Sequence, residues 1–75
     1  MRGHLVYSAK VLGDSPVWAK KASACLKRSF DRQGVRASVR AHRTNVQVEI
    51  PWQSEVFSHH LGSAAMARAE RACKV

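Results

Sequence analysis

Between Lys20 and Arg43 the chain carries eight bases, Lys20, Lys21, Lys27, Arg28, Arg32, Arg36, Arg40 and Arg43, against one acid, Asp31. An arginine guanidinium holds a phosphate or carboxylate through two parallel N–H bonds, and a lysine ammonium acts as a mobile point charge. A basic run of this density therefore predicts a surface for a polyanion. Solubility alone would be served as well by charges of mixed sign, and this stretch is lopsided. The eight bases are the candidate binding residues. The partner they imply is nucleic acid, DNA or RNA, or an acidic protein or nucleoprotein face. Aromatic side chains decide between two ways of holding a nucleic acid, because single strands are gripped by stacking bases on exposed rings. Tyr7, Trp18, Phe30 and Phe57 fall at core positions of the sequence pattern, and Trp52 alone lies in a connection, where it is expected to cap one end of the core. Sequence-specific base stacking is not expected.

Other chemistries find little to work with. The carboxylates Asp14, Asp31, Glu49, Glu55 and Glu70 are scattered and form no evident acid/base pair. Neither a nucleophile-elbow pattern nor a glycine-rich phosphate loop occurs. No enzymatic activity, catalytic residue, cofactor or small-molecule substrate is expected. His59 and His60 are neighbours, so on a helix they diverge by about 100° and cannot share one ion. His4 and His42 fall on one predicted sheet face and could meet across it, but two imidazoles without a third ligand make a poor metal site, and none is expected. Cys25 and Cys73 lie far apart in the chain and outside any CxxC or zinc-finger spacing, and they read as two small buried hydrophobes in a reducing compartment. A disulfide between two helices is the alternative.

The whole chain is 75 residues with 45% hydrophobic and 24% charged residues and a formal net charge of +8. That composition matches a globular domain rather than a disordered tail. A chain this short supports one small core, so a single basic domain over 1–75 is expected. The longest apolar run, Ala64 to Ala67, is far short of the roughly 18 residues that would cross a membrane. The N-terminus has one arginine but no apolar stretch of signal-peptide length, so a cytoplasmic protein without a membrane partner is expected.

The elements that must position the bases follow from periodicity. Residues 4–12 alternate as a strand, with Leu5, Tyr7, Ala9 and Val11 inward and His4, Val6, Ser8 and Lys10 outward. After Gly13, Asp14-Ser15-Pro16 is a helix start: either side chain can accept from an orphan amide, and proline suits the first turn. The helix should run to about Gln33 and stop at Gly34, with Trp18, Ala22, Cys25, Leu26, Ser29 and Phe30 as its apolar stripe. Residues 35–42 and 46–50 alternate as a hairpin, Val35, Ala37, Val39 and Ala41 facing the same side as Val46, Val48 and Ile50, with Arg43-Thr44-Asn45 as the turn. Pro51 ends that strand. Ser54-Glu55 should open a second helix carrying Phe57, Leu61, Ala64, Ala65, Met66, Ala69 and Ala72 on its apolar side, with Arg68, Arg71 and Lys74 at its negative end.

The expected fold is therefore α+β, β-α-β-β-α, with a three-stranded sheet in the order 1-3-2 and two helices packed on one face. Leu5, Val11, Leu26, Phe30, Val39, Val48, Ile50, Phe57 and Leu61 are expected in the core. Functionally, this suggests a small, non-catalytic regulatory protein that binds nucleic acid or a nucleic-acid-handling complex through its basic patch. The alternative is a phage-type inhibitor that docks directly on a host nucleoprotein machine, an RNA polymerase or a nucleic-acid-guided defence complex. Both would use the same charges.

Overall fold

The computed structural model describes residues 4–75; Met1–Gly3, including the N-terminal arginine, lie outside the described residues. Strand β1 (Leu5–Leu12) leads into helix α1 (Pro16–Gln33), a hairpin of β2 (Ser38–His42) and β3 (Asn45–Pro51) follows, and helix α2 (His59–Cys73) closes the chain. The sheet order is β1-β3-β2, with β3 antiparallel to both neighbours. The α+β architecture read from the sequence is the one observed.

Local chemistry explains the first helix. Ser15 is its N-cap, and its hydroxyl accepts from the Trp18 amide at 3.0 Å, with Pro16 following in the first turn. Gly34 ends the helix at φ 73°, and the Gly34 and Val35 amides donate to the Asp31 and Phe30 carbonyl oxygens. The buried stripe is Ala19, Ala22, Leu26, Ser29 and Phe30, while Trp18 and Cys25 are half-buried at its margin.

The central strand β3 supplies the other wall of the core. Val46, Val48 and Ile50 are fully buried and alternate with half-buried Asn45, Gln47 and Glu49, as a strand packed on one face requires. Ala65, Met66 and Ala69 of α2 complete the cluster. Of the expected core residues, Leu26, Phe30, Val48 and Ile50 are fully buried, and Val11, Val39 and Phe57 are half-buried against the cluster.

Leu5 and Leu61 are not in the core: they are 44% and 43% exposed. The cause at Leu5 is a bulge. The pairing of β1 with β3 shifts between Leu5 and Tyr7, so two residues of β1 span one of β3 and the alternation reverses. Leu5 thereby pairs with Pro51 on the open face, and Val6 packs against the core instead of facing outward. The cause at Leu61 is the later start of α2. Residues 54–57 form a turn, closed by the Phe57 amide donating to the Ser54 carbonyl oxygen, and the N-cap is Ser58 rather than Ser54. With that start, Gly62, Ala65, Met66 and Ala69 form the inward i, i+3, i+4, i+7 stripe, and Leu61 points away from it. Gly62 permits the close approach of α2 to β1, since a Cβ there would stand 2.9 Å from Tyr7 Cβ.

The hairpin is shorter than the alternation suggests. Residues 35–37 lie outside the ladder, and there the Gln53 side chain stands in for a neighbouring strand, accepting from the Arg36 amide at 2.9 Å and donating to its carbonyl oxygen at 3.2 Å. The turn is Arg43-Thr44; Asn45 already pairs with His42, and the positive φ falls on Arg43 at 58°.

The cysteines are joined. Cys25 and Cys73 form a disulfide that ties the middle of α1 to the end of α2, with the Cα atoms 5.9 Å apart. Reading them as two unpaired hydrophobes is thereby corrected. The reason lies in the packing: both helices cover one sheet face, so residues distant in sequence meet across the interhelical seam.

Candidate nucleic-acid interface

All eight candidate bases are exposed, and they divide between two faces of a two-layer molecule. Lys20, Lys21, Lys27, Arg28 and Arg32 belong to α1, whose opposite side carries the buried stripe. Lys21, Arg28 and Arg32 recur at i, i+7 and i+11 and so form one row along the helix. Lys20 and Lys27 form a second row about 100° away, and Lys27 Nζ lies 3.2 Å from Asp31 Oδ1. Both partners of that pair are more than half exposed, so solvent leaves it little net strength. The side chain of Asp31 thus neutralises one base of the run and leaves the others without an acidic partner among the described residues.

Arg36 and Arg40 belong to the opposite face. Strand register sets out that face in rows: Lys10, Gln47 and Arg40 lie side by side, as do Ser8, Glu49 and Ser38, and then Leu12, Asn45 and His42. Lys10 and Arg40 therefore flank a neutral centre, and Glu49 sits one row away. The central and β1 rows line a shallow depression of about 380 Å³ formed by Ser8, Ala9, Lys10, Gln47, Val48 and Glu49. Arg43 stands at the hairpin tip. One groove, of about 460 Å³, links the layers at the end of α1, where Lys27 and Asp31 meet Val35, Arg36 and Ala37. The basic run is thus contiguous in sequence but not a single patch in space.

The remaining candidates are dispersed. His4 lies beside Trp52, ring centroids 6.5 Å apart, at the end of the sheet opposite to His42, which pairs with Asn45; the two histidines do not meet. His59 stacks obliquely on Tyr7 at 5.2 Å. Trp52 is 45% exposed and its amide donates to the His4 carbonyl oxygen, so it borders the sheet more than it caps the core.

Three further bases join the helix layer. Arg68, Arg71 and Lys74 are exposed, and Arg68 Nη1 donates to Gln33 Oε1 of α1 at 3.4 Å. From the sequence they are accounted for by the dipole of α2; the packing of α2 on α1 brings Arg68 to the end of α1 and leaves Arg71 and Lys74 exposed on the same helix layer. The signal that could have found them is the cysteine pair, which places Lys74 next to α1 as soon as the cross-link is drawn.

Among the described residues, no helix is long and apolar enough to cross a membrane. No protein-family model, curated protein or solved structure matches the chain.

Proposed function

We propose that this chain is a small, non-catalytic regulatory protein that binds nucleic acid, or a complex that handles it, through exposed arginines and lysines. The observation that supports this reading is the state of the eight bases: every one is exposed, and Asp31 alone gives any of them an ion pair among the described residues. Basic side chains held for structural reasons would be expected to pair with acids or carbonyl oxygens at element ends. These instead project into solvent from an ordered scaffold, so their backbone needs no ordering when they meet a polyanion. Binding by charge places the protein on its partner without requiring chemistry at a bond.

Salt dependence is the test. Each neutralised phosphate releases condensed counterion, so five contacts to a duplex should give a log–log slope of about −4.5. Fluorescence anisotropy with labelled DNA and RNA, starting at about 50 mM salt, measures it. No measurable affinity for either at that salt refutes the reading. Partners that survive nuclease treatment of a lysate, with a shallow salt dependence, would then favour an inhibitor docking on a protein target.

A further inference from the structure

The helix layer has an organisation that the linear charge run conceals. The two helices are antiparallel: Cys25 of α1 is bonded to Cys73 of α2, whereas Gln33, two turns further along α1, donates to the Ala65 carbonyl oxygen, two turns back along α2. Lys21 and Arg28 stand four residues before and three after Cys25, so they share its side of α1, and Arg32 continues the row. On α2, Lys74 follows Cys73 directly, Arg71 precedes it by two, and Arg68 reaches Gln33. Lys21, Arg28 and Arg32 thus form a straight row on α1 beside the cross-linked seam, and the three exposed bases of α2, at i, i+3 and i+6, sweep about 120° round their helix from Arg68, which touches α1. Asp31 is engaged with Lys27, and Glu70, half-buried, lies about 200° around α2 from Arg68 and one turn before Lys74.

We propose that this two-helix surface, rather than the open sheet face, is where the protein engages its polyanion, and that the partner is the phosphate backbone of duplex nucleic acid. The proposal rests on the nucleic-acid reading above and names the site and the form of the ligand. The row from Lys21 to Arg32 spans about 17 Å and the three bases of α2 occupy about 9 Å of helix length, on axes about 8–10 Å apart. A duplex carries one phosphate per about 3.4 Å of helix axis on each strand, and the strand winds around that axis, so each of the three bases in the straight row can meet about one phosphate. A single strand would need exposed rings to stack on, but in these helices Phe30 is buried and Trp18 is half-buried, its ring lying where a Gly13 side chain would be. A folded protein partner would need a desolvated apolar centre, and the residues flanking the cross-link, Ala24 and Ala72, are too small to anchor one. Phosphates alone carry no sequence information, so recognition is independent of sequence.

Three proteins separate the possibilities: the wild type, the α2-row variant Arg68→Ala/Arg71→Ala/Lys74→Ala, and the sheet variant Arg36→Ala/Arg40→Ala, each with the disulfide intact and a wild-type circular dichroism spectrum. Salt titrations use DNA and RNA duplexes and single strands of equal length. With six contacts the wild-type slope on duplex DNA is about −5.4, and the α2-row variant, with three, reduces it to about −2.7. The sheet variant leaves it unchanged, and the two duplexes bind within tenfold of each other. A slope lost in the sheet variant but kept in the α2-row variant overturns the proposal while leaving nucleic-acid binding intact. Tighter binding to single strands overturns it likewise. Failure of the wild type to bind any of the four overturns both readings together.

Discussion

Reducing the Cys25–Cys73 bond should remove a large part of the stability of the domain. The cross-link closes a loop with a sequence separation of 48 residues. In the chain-entropy account, a closure of that length removes about 13–14 cal/mol/K from the unfolded ensemble, or about 4 kcal/mol at 25 °C. A 75-residue domain has a total stability of about 4–11 kcal/mol, so this one bond is a large part of it. The core explains why little compensates. Its α2 contribution is Ala65, Met66 and Ala69, of which only Met66 is large, so α2 adheres weakly without the cross-link. An unfolding entropy of about 2.1 cal/mol/K per residue converts 4 kcal/mol into a fall in Tm of about 25 °C. Thermal melts followed at 222 nm, with and without dithiothreitol, measure it, and the Cys25→Ser/Cys73→Ser variant repeats the comparison without reductant. Residual structure in the reduced unfolded chain lowers the figure, so a fall of about 10 °C still agrees. A fall below about 5 °C in both experiments refutes the reasoning, and α2 would then be held by its packing alone.

Two further substitutions probe the packing. Ile50→Asp places an unpaired carboxylate at a fully buried position of the central strand, at a cost of several kcal/mol, about the whole stability of the domain, and a cooperative thermal transition within 10 °C of wild type would contradict the assignment of the sheet faces. Gly62→Ala should destabilise by about 1–3 kcal/mol although alanine is the better helix former, because the new methyl meets Tyr7 Cβ at 2.9 Å; urea denaturation that shows stabilisation would mean that α2 can move off β1 freely.

Much of the architecture was legible in residue order because it rests on local rules. Ser15-Pro16 and Gly34 bound α1 through capping, which depends on a handful of neighbouring atoms. The alternation of Val46, Val48 and Ile50 marks a strand with one buried face whatever it packs against, and the central position of β3 follows from chain connectivity. Where two local signals compete, residue order is silent. Ser54 and Ser58 are both acceptable N-caps, and the choice fell to Ser58 in a chain where Phe57 packs against the core from the position just before it. The bulge that turns Leu5 outward has no glycine to announce it; it belongs to the pairing of β1 with β3.

For the candidate site, the sequence alone determined that the bases are there, that they are one-sided in sign, and that they escape burial, because a long charged side chain without a partner stays in water. Only the tertiary structure decided which of them stand together. Packing separated Arg36 and Arg40 from Lys21, Arg28 and Arg32 by placing a sheet and a helix layer between their outward faces, and it brought Arg68 to α1 on the side of the cross-linked seam. Charge and capping are properties of a residue and its immediate neighbours; a shared surface depends on how separate elements dock, and that is governed by small apolar contacts such as Gly62 on Tyr7.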